Sequence, residues 1–177
     1  ETLTLEDSES LIEWNNTDSP YENSICLHTK FEKQVQKNPN QNALYFKDQI
    51  LTYSDFNKHA NRLANYLLEK GVKVEDKIGI CLDRSFEMMI AIYGTLKAGA
   101  TFVPMDPKSP KERIAMVISD ARLDIIFSTK EKSTNLPEDG NCIYLDNILE
   151  SPLSENDKNP EVDVKPQNLA YVMFTSG

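Results

Sequence analysis

The chain has 177 residues, 40% of them hydrophobic and 27% charged, and a formal net charge of −9. That length can bury the core of one domain. Its Lys and Arg residues are scattered instead of clustered, which argues against nucleic acid as a partner, and no apolar run approaches the roughly 18 residues that a membrane-crossing helix needs. The acidic, polar stretch Glu1 to Ser10 does not read as a secretory signal, so the cytoplasm is the expected location.

Residues 1–24 read as a leader, with a short amphipathic piece (Leu5, Leu11, Ile12, Trp14) and the turn-rich stretch Asn15 to Pro20. Trp14 is expected to dock this leader on the body, residues 25–177. Leu27, Phe31 and Val35 recur at helical spacing until Asn38-Pro39-Asn40 breaks the pattern. Ala43 to Lys47 and Gln49 to Leu51 flank Asp48 as a hairpin. Thr52 then caps a helix with Asp55 three residues on. Its apolar stripe runs through Phe56, Ala60, Leu63, Ala64 and Leu67 to a glycine stop at Gly71.

Lys77 to Leu82 is an apolar strand, and either end of Asp83-Arg84-Ser85 is able to cap the next helix. That helix, Phe86 to Ala98, is apolar almost all round, so it belongs between layers, and Gly94 within it permits close packing. Gly99 ends it. A strand (Ala100 to Pro104), a helix capped by Ser109 with Pro110 at its first position, and strands at Leu123 to Phe127 and Cys142 to Leu145 complete the series. Ser128 to Asn141 and Ser151 to Asn168 are polar and loop-like. Strand–helix–strand–helix–strand between residues 77 and 127 predicts right-handed crossovers. The fold class is α/β, a mostly parallel sheet with helices on both faces.

Little else carries chemistry. Cys26, Cys81 and Cys142 are too far apart and too few for a disulfide framework or a zinc site, and read as small buried hydrophobes. His28 and His59 are isolated and read as surface or hydrogen-bonded core residues. The informative stretch is the last. The apolar run Leu169 to Phe174 reads as a buried strand, and it ends in Thr175, Ser176 and Gly177. Hydroxyl donors, with a glycine that lets a backbone N–H approach an anion, suit a loop that wraps phosphate. In doubly wound sheets ligands sit beyond the carboxyl ends of the strands. The stretch is neither a Walker A loop nor a GxGxxG fingerprint.

Three segments in order give this chain a resemblance. Leu51-Thr52-Tyr53-Ser54-Asp55-Phe56, Leu96 to Pro107 (Leu-Lys-Ala-Gly-Ala-Thr-Phe-Val-Pro-Met-Asp-Pro) and Leu169 to Gly177 resemble the first, second and third core motifs of the adenylation domains of nonribosomal peptide synthetases, within the adenylate-forming enzymes. Departures are mild: Phe56 for Leu, Thr101-Phe102 for Ala-Tyr, and Phe174 for Tyr. Leu11 to Thr17 is similar to the segment that joins a condensation domain to an adenylation domain.

The resemblance implies the first part of the large N-terminal subdomain of such an enzyme. It implies ATP and Mg2+ as cofactors, an amino-acid substrate activated as aminoacyl-AMP, and transfer to the phosphopantetheine thiol of a peptidyl carrier domain, with a condensation domain upstream. Thr175, Ser176 and Gly177 match the family's contact with the ATP phosphates. No residue matches its catalytic lysine, so the polypeptide is expected to run on past Gly177 and this piece alone to be inactive. Lys97, Asp83 and Asp106 are not expected to be catalytic; Lys97 is expected to complement its helix's carboxyl-terminal dipole. A free-standing acyl- or aryl-acid CoA ligase of the same fold, and a non-catalytic docking platform between synthetase domains, are the alternatives.

Overall fold

A four-stranded parallel sheet organises the chain, in the order β4-β3-β5-β6. The computed structural model describes residues 5–19, 24–137 and 141–175. In chain order the elements are α1 (Leu5–Asn15), α2 (Leu27–Lys37), β1 (Asn42–Phe46), β2 (Gln49–Thr52), α3 (Tyr53–Glu69), β3 (Lys77–Cys81), α4 (Phe86–Lys97), β4 (Thr101–Met105), α5 (Lys111–Ala121), β5 (Ile125–Ser128) and β6 (Cys142–Tyr144). A short 3₁₀ turn, Lys132–Asn135, lies in the polar loop after β5. The α/β expectation holds, with helices on both faces.

Strand alternation divides the core in two. Ile78, Ile80, Ile125 and Phe127 face α3 and α4. Cys81, Val103, Met105 and Ile126 face α5 through Ile114, Val117 and Ala121. Near-continuous apolar strands are what a sheet covered on both sides requires. β1 and β2 pair antiparallel around Lys47 and Asp48, as expected.

The local signals hold at several element ends. The Thr52 side chain accepts the Asp55 N–H at 3.1 Å, and Ser85 accepts the Met88 N–H at 3.3 Å. Of the two ends of Asp83-Arg84-Ser85, it is the serine that caps. Gly71 and Gly99 take positive φ of 84° and 78° just past their helices.

Of the three cysteines expected to be buried only Cys81 is; Cys26 and Cys142 are half-buried. Two further expectations fail, one at a helix end and one in the leader. Ser109 does not cap α5: Pro110 occupies the cap position with extended backbone and no side-chain acceptor. Asp106 closes the turn instead, its carboxylate taking the Lys108 N–H at 2.9 Å and its carbonyl the Ser109 N–H at 3.0 Å. Trp14 does not dock α1 on the body. It is 73% exposed, because no element among the described residues covers the α1 side that carries it.

The histidines are half-buried, and burial is the main cause that pulls both below the ordinary imidazole value. Lys97 adds to this at His28 while Glu32 opposes; Arg62 and Lys58 add to it at His59 while Asp55 opposes. A lowered folded-state value means that the unfolded chain takes up the proton first as pH drops through about 6.5, so stability falls on acidification. Urea midpoints between about pH 7.5 and about pH 5.5 should fall, and His28→Gln/His59→Gln should make that fall shallower. An equal fall in the double variant would assign the effect to other groups.

Candidate functional site

The segment expected to carry phosphate chemistry lies beside β4 at the edge of the sheet. It is not the buried strand its apolar run predicts. Phe102 and Tyr171 form a single parallel bridge, with Phe102 N–H donating to Ala170 O at 3.1 Å and Val172 N–H to Phe102 O at 3.1 Å. Val172 and Phe174 pack toward α5. Tyr171 and Met173 are 52% and 61% exposed, because no element of the described residues covers their side. The ring of Tyr171 rests on Phe102 at 5.6 Å between centroids.

That register sets the position of the tip. Tyr171 is level with Phe102, so Phe174 is level with Met105 and Thr175 with Asp106, one residue past the carboxyl end of β4. Thr175 is exposed. Ser176 and Gly177, predicted to act with it, lie outside the described residues. Beside Phe174 is a small cavity of about 100 Å³, lined by Met105, Asp106, Ser109 and Arg113 among others. Arg113, from the first turn of α5, makes no ion pair among the described residues. It puts a positive charge near the tip, opposite the Asp106 carboxylate in the same lining, a contribution that sequence reasoning missed because only the crossover brings α5 there.

The other ionisable candidates are occupied elsewhere. Asp83 pairs with Lys132 at 3.0 Å, and Asp106 is a turn former. Lys97 stands in the last turn of its helix, as the dipole reading requires, and is also held by a partner. It is 1% exposed, paired with Glu32 of α2, and it donates to Asn159 Oδ1 at 3.2 Å. Burial pushes its ammonium below the usual lysine range while the Glu32 carboxylate opposes that. Burial drives the Cys81 thiol up to about 11 and raises Cys142, so neither is a poised nucleophile.

A wider cleft of about 720 Å³ lies elsewhere, at the carboxyl ends of β3, β5 and β6 under the β1–β2 turn. Its walls mix Lys47, Arg84 and Lys132 with Asp48, Asp83 and Asp146. With Glu87 and Glu131 also in the lining, carboxylates outnumber cations, and this cleft is not favoured for an anion.

A family model described as AMP-binding enzyme matches residues 31–177. The chain belongs to the AMP-binding enzyme family. It is 44% identical to a linear gramicidin synthase of Brevibacillus parabrevis over 170 residues, covering 94% of this chain and 2% of that protein. It is 40% identical to a plipastatin synthase of Bacillus subtilis (strain 168), covering 99% of this chain and 5% of that one. A crystal structure of the nonribosomal peptide synthetase FmoA3 with AMPPNP bound superposes with a TM-score of 0.85 at 27% identity, over 98% of this chain and 18% of that one. This member of the AMP-binding enzyme family thus spans only 2% to 5% of the length of these two curated relatives. The resemblance to peptide-synthetase adenylation domains holds, and the fold is that of the front of such a domain's N-terminal subdomain.

Proposed function

We propose that this segment belongs to an enzyme that activates an amino acid with ATP for nonribosomal peptide synthesis. Residues 25–177 are the front of its adenylation domain, and residues 1–24 are the linker from a condensation domain upstream. The substrate carboxylate attacks the α-phosphorus, the bond from that phosphorus to the bridging oxygen breaks, and aminoacyl-AMP and pyrophosphate form. The acyl group then passes to the phosphopantetheine thiol of a carrier domain, releasing AMP. Negative charge builds on the departing pyrophosphate, so preorganised donors aimed at it lower the barrier.

In this reading the Thr175 and Ser176 hydroxyls and the backbone at Gly177 donate to the β- and γ-phosphates. The observation that carries it is the exposed Thr175 one residue beyond β4, where a parallel sheet presents a ligand. The peptide-synthetase relatives support the amino-acid substrate. Among the described residues no three His, Cys, Asp or Glu side chains gather to hold a metal, and donation to phosphate is the part this segment plays beside Mg2+.

ATP–pyrophosphate exchange by the whole synthetase tests the reading. Amino acids should drive exchange where fatty and aryl acids do not. Thr175→Val should lower kcat/KM for ATP roughly tenfold, less than loss of a sole donor because Ser176 is adjacent. Its melting temperature should be unchanged, since Thr175 is exposed. Exchange driven by fatty or aryl acids would make the protein an acyl or aryl ligase. An unaffected Thr175→Val would remove the tip from the chemistry.

A further inference from the structure

The tip has no strand pairing on its outer side among the described residues, so beyond the packing of Tyr171, Val172 and Phe174 its register against β4 rests on few hydrogen bonds. Two are the backbone bonds at Phe102. A third is the buried Thr101 hydroxyl, which donates to Leu169 O at 3.1 Å. The remaining two converge on one side chain. Glu75 Oε1 accepts from Asn168 Nδ2 at 3.0 Å and from the Leu169 N–H at 3.1 Å.

Glu75 is itself held in an unusual conformation. Its φ is 68°, in the left-handed region that a residue with a Cβ adopts at a cost. Its own N–H donates to Gly99 O at 2.9 Å, and next to it Asp76 O accepts the Thr101 N–H at 2.8 Å. The turn before β3 is thereby stitched to the entry of β4, and the Glu75 side chain reaches from that turn to the start of the tip segment. Its carboxyl is held below the ordinary carboxylate range by the Asn168 amide first and the Leu169 N–H second.

We propose that Glu75 is a positioning residue for the phosphate-binding tip: its carboxylate locks the start of the segment 168–175 against β4 and so sets which side Thr175 presents. A slip of one residue would exchange the sides of Thr175 and Phe174. The hydroxyl would then turn toward α5 and the ring toward the phosphates. Thr101 supports the same lock.

The proposal rests on the ATP-activating reading above, and one part of its test does not need that reading. In the whole synthetase, hydrogen exchange followed by mass spectrometry reads protection of the segment that contains Leu169 and Val172. Glu75→Ala should weaken that protection, and Glu75→Gln, which keeps an acceptor oxygen, should restore it. In ATP–pyrophosphate exchange, Glu75→Ala should raise KM for ATP about threefold to tenfold and leave KM for the amino acid alone. Glu75→Gly removes the lock and also relieves the left-handed backbone. It should raise KM for ATP equally at a melting temperature no lower than the parent's, an effect that a merely structural role would not produce.

Unchanged protection in Glu75→Ala overturns the lock. A parental KM for ATP in Glu75→Ala, or a rise that follows the melting temperature, overturns the positioning. A parent that exchanges with no acid at all defeats the functional reading instead, while the protection data still decide the lock.

Discussion

Gly94→Val is expected to destabilise the fold by about 3 kcal/mol, the upper part of the range for forcing extra atoms into a packed core. A Cβ at Gly94 would meet Leu63 Cβ and Cδ2 at 2.9 Å and Cγ at 3.0 Å. Contact with Leu63 Cβ matters most, because that atom moves only with the backbone of α3. α3 and α4 would have to separate, which loosens the layer formed by Ala60, Leu63, Ile90 and Ala91, all fully buried. Gly94→Ala tests the balance of two opposed effects. It gains about 1 kcal/mol of helix propensity and still brings the overlap, so a smaller net loss is expected. Urea denaturation of both variants measures this. Stabilisation by Gly94→Ala would show that the helices can part freely and that the close approach is dispensable.

Lys97→Met is the second large effect. The substitution keeps the length and apolar stem of the side chain and deletes the charge. Asn159 Oδ1 is left with donors from Asn57 at 3.1 Å and Asn61 at 2.8 Å, so the loss concentrates at Glu32. That carboxylate, 20% exposed, would be left without its cation. Breaking one side of a buried pair costs about 3–5 kcal/mol. The lower end is expected here because Glu32 keeps 20% of its side chain exposed and can partly rehydrate. Lys97→Met/Glu32→Leu should recover most of the stability, since a matched apolar pair needs no charge compensation. Urea midpoints for the four proteins close the cycle. Simple additivity would mean that Lys97 acts through packing alone.

These two positions differ in how far the sequence announces them. Gly94 is legible: a glycine inside an otherwise apolar helix has few reasons to be there except close approach. The burial of Lys97 is not. A lysine in the last turn of a helix looks the same whether it faces water and complements the dipole or faces inward toward a carboxylate. Glu32, which decides the matter, sits 65 positions earlier on α2.

The Ser151 to Asn168 stretch gives the same lesson. Its composition reads as a loop, and it has no regular structure. Yet it is strapped across α3 by Asn61, which donates to Asp157 O at 2.7 Å, and by Asn65, which donates to Asn156 O at 2.9 Å. The signal was present in Asn57, Asn61 and Asn65 at helical spacing on one side of α3, though the spacing does not say what backbone they would meet.

Alternation, helical stripes, caps and glycine stops are short-range effects, so the residues alone determined the elements, their order and the α/β class. They also supplied the donor groups of the tip on which the proposed function rests, because hydroxyl and glycine carry their donors wherever they are placed. Only the tertiary structure decided that Lys97 is buried with Glu32, that Trp14 stands in solvent, that the final apolar run is an edge segment with one side bare, and that Glu75 holds its start. The burial and pairing of a polar group depend on what lies across from it, and that neighbour is distant in the chain.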